Sequence, residues 1–126
     1  MQKSILVIDA NKKRCREFCE LLQNSDYVAT PLYSIDDLAE NIKKSGCRAI
    51  FWDVDTVPAD NRSVRELTIK FPDVYFFCLS SKRFHPELKD AICYHIYACL
   101  NRPIDQDELF YWLRSIEENE SDANGL

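Results

Sequence analysis

Glycine is nearly missing from this chain: only Gly46 and Gly125 are present. A phosphate-cradling P-loop or a dinucleotide-binding turn needs several glycines in fixed spacing, so both are excluded, and most nucleotide-dependent enzymes with them. No apolar run approaches the roughly 20 residues that cross a bilayer. The opening Met1-Gln2-Lys3-Ser4 leads straight into a short apolar stretch without a cleavage-site pattern. Basic residues are in deficit, 16 Lys and Arg against 21 Asp and Glu, for a formal charge of -5. That balance supplies neither a nucleic-acid footprint nor a polybasic membrane patch. Cysteine is plentiful, at six residues, but CxxC pairs are lacking. Neither Cys15-x-x-x-Cys19 nor Cys93-x-His95 has the matching second half a zinc site needs. Most of the six fall in apolar periodic segments and read as reduced core thiols. His85 and His95 carry no recognisable site chemistry. These features imply a cytoplasmic chain with protein or small-ion partners, binding neither nucleic acid nor membrane. Its 126 residues make one domain, 1–119, followed by a polar tail or truncated linker, 120–126.

What is present is a rhythm of short apolar runs and helical stripes, without repeats. Ser4–Ile8 is a run that ends on Asp9. Cys15, Phe18, Cys19 and Leu22 follow at the i, i+3, i+4, i+7 spacing of a buried helix face. Residues 27–30 form a short strand beside Pro31, which fits a sheet edge. Ser34 with Asp37 predicts an N-terminal capping box, and Ile35, Leu38, Ala39 and Ile42 a stripe that Gly46 ends. The run 49–52 stops at Asp53, and four consecutive apolar residues suit a strand buried on both faces. A weaker helix spans 61–70. The run 74–79 leads into Ser80-Ser81-Lys82-Arg83. Pro86 opens a helix whose Leu88, Ile92 and Cys93 face inward. A fifth run, 96–100, ends at Asn101-Arg102-Pro103. The last helix has Asp105 as N-cap, Glu108 at its third position, and Trp112, Leu113 and Ile116 on one face. Five alternating β-α units imply a parallel sheet with helices on both faces, because parallel strands need helix-length returns of one hand. Ligands of such sheets collect at the carboxyl edge, where Asp9, Asp53, Ser80 and Arg102 all fall.

This constellation, with Ile5-Leu6-Val7-Ile8-Asp9, Leu79-Ser80-Ser81 and Leu100-Asn101-Arg102-Pro103-Ile104, resembles the response-regulator receiver domain, the CheY-like family of two-component signalling. The resemblance spans about residues 4–118. It implies a flavodoxin-like (βα)5 three-layer sandwich with strand order 2-1-3-4-5. It also implies roles. Asp53 is the candidate phosphoacceptor from a histidine kinase or phosphotransfer protein. Asp9, Asp53 and the backbone carbonyl of Asp55 are ligands of a weak Mg2+ site. Ser80 is the hydroxyl that bonds the phosphoryl group and moves its loop, Arg102 stands in place of the usual lysine, and the bond before Pro103 is cis. An output domain or partner protein is expected on the last helix and fifth-strand face, where Tyr94, Tyr97, Phe110 and Tyr111 supply aromatics, and self-association into a homodimer belongs to the same expectation.

Several positions depart from the family pattern. Ala10 stands where a second acid is expected, leaving Asp55 to compensate. Arg102 replaces a compact ammonium with a planar fork. Cys99 replaces an aromatic, and one extra residue separates Asp53 from Pro58. Two close carboxylates need a cation between them, so Lys12, Lys13, Lys82 or Arg102 is expected as a built-in counter-charge. Three functions follow as expectations: a receiver-type phosphorelay module without enzymatic turnover beyond slow self-dephosphorylation, a phosphorylation-independent pseudo-receiver binding module, and, more remotely, a haloacid-dehalogenase-like phosphatase using Asp53 and Asp55, whose Asp-x-Asp-x-Val pattern suits a nucleophile and a general acid.

Overall fold

In the computed structural model, which describes residues 4–83 and 85–124, five parallel strands lie in the order β2-β1-β3-β4-β5. They are β1 (Ser4–Ile8), β2 (Val28–Leu32), β3 (Ala49–Asp53), β4 (Tyr75–Ser80) and β5 (Ile96–Asn101). The returns are α1 (Lys12–Gln23), α2 (Leu38–Ser45), α3 (Asn61–Lys70), α4 (Lys89–Tyr94) and α5 (Gln106–Asn124), with a single 3-10 turn, Pro86–Leu88, ahead of α4. The fold class and strand order are those the sequence predicts.

β1 and β3 are buried along their whole length, which explains their unbroken apolar runs: both faces of each strand are covered. Ile5, Val7, Phe51 and Phe77 face one layer, made by Cys15, Phe18, Cys19 and Leu22 of α1 and Leu109, Leu113 and Ile116 of α5. Phe51 stacks on Phe77 with centroids 4.5 Å apart. Leu6, Ile8, Ile50 and Trp52 face the other layer, with Leu38 and Ile42 of α2. Val64, Leu88 and Ala91 join α3 to α4. Pro31 sits within β2, an edge strand, where its missing N–H leaves no central ladder incomplete.

The expectations for Ser34, Ile35 and Cys93 are corrected. The capping box at Ser34 does not form. Asp37, the residue before α2, adopts φ 58° and caps nothing, while the Ser34 hydroxyl accepts from the Asp36 amide in a local turn. The helix therefore starts at Leu38, and Ile35 stays exposed. Cys93 does not face inward, because α4 is only six residues long and buries Ala91 alone. Cys93 and Cys99 are exposed free thiols, and the other four are buried. At the far end, α5 continues past Glu117, whose carboxylate accepts from the Tyr27 hydroxyl at 3.0 Å. Helical backbone runs to Asn124. The side chains of the expected tail, 120–126, and all of residues 125 and 126 lie outside the described residues.

Candidate functional site

The strand order reverses between β1 and β3, so the loops leaving their carboxyl ends diverge and open a crevice. Asp9 follows β1 and Asp53 ends β3. Their side chains meet there, almost sealed from water at 1% and 0% exposure. Two buried carboxylates side by side would raise each other's pKa without a compensating cation. Two arginines supply the compensation.

Arg14 comes from the first turn of α1. Asn11 caps that helix by accepting from the Arg14 amide, which sets the Arg14 side chain to reach back over the crevice. Its Nε donates to Asp9 Oδ2 at 2.7 Å and its Nη2 to Asp9 Oδ1 at 2.9 Å, a two-pronged pairing. The same Nη2 reaches Asp53 Oδ2 at 3.3 Å. Arg102 arrives from the opposite side, at the end of β5, where its amide donates to the Ser80 carbonyl and the following bond to Pro103 is cis. Arg102 Nε donates to Asp53 Oδ2 at 3.0 Å, and its Nη2 lies 2.8 Å from that oxygen and 3.3 Å from Asp9 Oδ2. Two guanidinium groups thus neutralise two carboxylates.

The remaining lone pairs go to the loop after β3. Asp53 Oδ1 accepts from the amides of Asp55 and Thr56 at 3.1 and 3.0 Å. The Thr56 hydroxyl lies 3.1 Å from Asp9 Oδ1 and 3.2 Å from Asp53 Oδ1, and accepts from the Ala10 amide. In the same loop Val57 is buried, and the Trp52 indole donates to its carbonyl at 2.7 Å. Burial alone would raise the Asp9 pKa. The Arg14 hydrogen bonds, the Asn11 amide and the Thr56 hydroxyl outweigh it and hold Asp9 below the ordinary carboxylate value.

Asp55 turns away from this pair. Its Oδ1 accepts from the Ser80 hydroxyl at 2.7 Å, and its Oδ2 from the Ser81 amide and hydroxyl at 2.8 and 2.9 Å. Desolvation opposes its ionisation, yet these donors and the nearby Lys82 lower its pKa. Ser80, 2% exposed, is therefore tied to Asp55 instead of facing Asp53.

Of the predicted site residues, Asp9, Asp53 and Arg102 converge, and Asp55 and Ser80 form an adjoining cluster. Among the candidate counter-charges, Arg102 reaches both carboxylates, Lys82 lies beside Asp55, and Lys12 sits over the Tyr33 ring at 5.4 Å. Arg14 and Thr56 were not singled out by sequence reasoning. The signal for Arg14 was its place in the first turn of the helix that follows Asp9. Thr56 carried no signal beyond the longer loop. The residues present do not fit Mg2+, which demands near-octahedral oxygen ligands. Ala10 offers no side-chain oxygen, the Asp55 carboxylate is committed to Ser80 and Ser81, and guanidinium nitrogens fill the space between Asp9 and Asp53. Among the described residues, no group of three His, Cys, Asp or Glu is arranged to hold a metal ion.

No protein-family model and no curated relative matches the chain. Solved structures do. The signal receiver domain of an HD domain-containing protein from Pseudomonas fluorescens superposes with a TM-score of 0.83 at 17% identity, covering 97% of this chain and 99% of that one. A CheY-like receiver domain protein from Methanospirillum hungatei gives 0.82 at 12%, with the same coverage. A CheY-like receiver domain from Methylobacillus flagellatus gives 0.76 at 22%, covering 92% and 99%. The fold is that of response-regulator receiver domains over nearly the whole chain.

Proposed function

We propose that this chain is a receiver-type signalling module that acts through protein–protein contacts without loading Asp53. The observation that carries this reading is the state of the Asp53 carboxylate, fully buried with Oδ2 held by both Arg14 and Arg102 and Oδ1 by two amides and a hydroxyl. A carboxylate that attacks phosphorus must present a free oxygen to a dianionic group, with a divalent cation to spread the charge. Asp53 has no free oxygen, and its cations are guanidiniums.

The partner surface in this proposal is the α4–β5–α5 face. Tyr94 and Tyr111 stand exposed on it, at 78% and 58%. Tyr97 and Phe110 are half-buried against the core, and Tyr97 is packed edge-on to Tyr75 and Trp112. Two exposed tyrosines on α4 and α5 suit a protein interface, large in contact area and low in ordering cost. An output domain, a separate protein or a second copy of the chain is the occupant.

One observation favours a second reading, in which a histidine kinase or phosphotransfer protein phosphorylates Asp53: Arg14 is one third exposed, and its displacement toward solvent would leave Arg102 to hold the incoming group. Incubating the protein with a small phosphodonor and Mg2+ and weighing it separates the two. An unchanged mass supports the phosphate-independent module, and a phosphoryl adduct lost in Asp53→Asn overturns it. No geometry favours a phosphatase, since Asp53 and Asp55 present their carboxylates to different partners.

A further inference from the structure

β4 and β5 do not pair in one uninterrupted register. Phe76 faces Ile96, but the next pair is Phe77 with Ala98, so Tyr97 is the extra residue of a bulge. Without that bulge Cys78 would face Ala98. With it, Cys78 faces Cys99. Directly paired residues on parallel strands point to the same side of the sheet, and neighbouring strands lie about 4.8 Å apart. That separation falls inside the Cα window of roughly 4.4–6.8 Å in which two cysteines can be joined.

The two thiols differ in setting. Cys78 is sealed at 1% exposure, whereas Cys99 opens to solvent on the edge strand. The facing Cys78 thiol lowers the Cys99 pKa, and the thiolate is the reactive form of a cysteine. The other thiol pair, Cys15 and Cys19, lies wholly inside the core. Cys47 is buried, and Cys93 is exposed but lies on α4, outside the strand pairing that sets Cys78 opposite Cys99.

We propose that Cys78 and Cys99 are a redox modification site, at which a hydroperoxide converts the thiol pair into an intramolecular disulfide. The Cys99 thiolate attacks one peroxide oxygen and the O–O bond breaks. Hydroxide or alkoxide departs and takes up a proton, leaving a sulfenic acid on Cys99. Cys78 then gives up its proton and attacks the Cys99 sulfur. The S–O bond breaks, and the released hydroxide combines with that proton as water. The two thiols lose two electrons in all, and the peroxide gains them. Because Cys99 is exposed, a disulfide formed there is open to reduction by free thiols. The bond would fasten β4 to β5 two residues before Ser80 and three before Arg102, at the edge of the sheet that β5 forms beside α4 and α5.

The test uses the full chain and hydrogen peroxide. Intact mass without reductant should fall by two hydrogens in the monomer, and digestion should release one linked pair of peptides bearing Cys78 and Cys99, separated again by dithiothreitol. This map needs no variant. In Cys78→Ala, Cys99 should instead accumulate as a sulfenic acid that dimedone traps, while Cys93→Ser should oxidise like the parent. Preferential oxidation of Cys93, a covalent dimer through Cys99, or no Cys78–Cys99 link at full peroxide consumption would each overturn the proposal.

Discussion

Replacing Arg14 with alanine removes one of the two cations over Asp9 and Asp53 and leaves a net negative charge among groups that are 1% and 0% exposed. Breaking a fully buried pair costs about 3–5 kcal/mol, and an exposed pair under about 1. Arg14 is one third exposed, so water can enter the gap it leaves, and Arg102 still reaches both carboxylates. The loss expected for Arg14→Ala is therefore about 2–4 kcal/mol. With a urea slope near 1.5 kcal/mol/M, the unfolding midpoint falls by roughly 1.3–2.7 M. Two controls tie that loss to charge. Asp9→Asn added to Arg14→Ala should recover part of it, because the uncompensated carboxylate is gone. Millimolar Mg2+ should stabilise Arg14→Ala and leave the parent unchanged. A midpoint shift below about 0.5 M, insensitive to Asp9→Asn, would refute the claim that the guanidinium neutralises a buried acid pair.

Acid should unfold the protein partly through the same pocket. The Asp9 pKa is lowered in the folded state, so its contribution is complete above the ordinary aspartate value of 3.8 and is lost as pH falls through the lower folded value. Asp9→Asn should flatten the stability curve in that window, as followed by Trp fluorescence. Asp55→Asn weakens the tie between the β3–α3 loop and Ser80–Ser81. It should cost about 1 kcal/mol and speed amide exchange at Ser81, read by NMR. Gly46 ends α2 at φ 58° with open space where a Cβ would stand, so Gly46→Ala should cost about 1 kcal/mol through backbone conformation alone, measured by thermal melting.

The fold was legible because its signals are local and repeated. The run ending on Asp53 reads as a two-faced buried strand, and the Cys15-Phe18-Cys19-Leu22 stripe is the buried face of α1. Asp9, Asp53 and Arg102 were legible for the same reason, since each closes a strand at one edge. Failures came where a side chain's direction mattered more than its position. Ser34 and Asp37 have the spacing of a cap, but Asp37's left-handed backbone turns it aside. Asp55 has the spacing of a second acid, yet two serine hydroxyls and an amide draw it elsewhere. Arg14 looks like any surface arginine on α1 until the helix cap aims it at Asp9. The Cys78–Cys99 pairing could not be read from the sequence, because a one-residue bulge decides it.

A Mg2+ titration of the parent protein beside Arg14→Ala, followed by calorimetry, tests most directly whether the acid pair already holds its own cations. The arginine clamp predicts no binding heat in the parent through millimolar Mg2+ and measurable binding once Arg14 is gone. Saturable Mg2+ binding by the parent, abolished in Asp53→Asn, would contradict it.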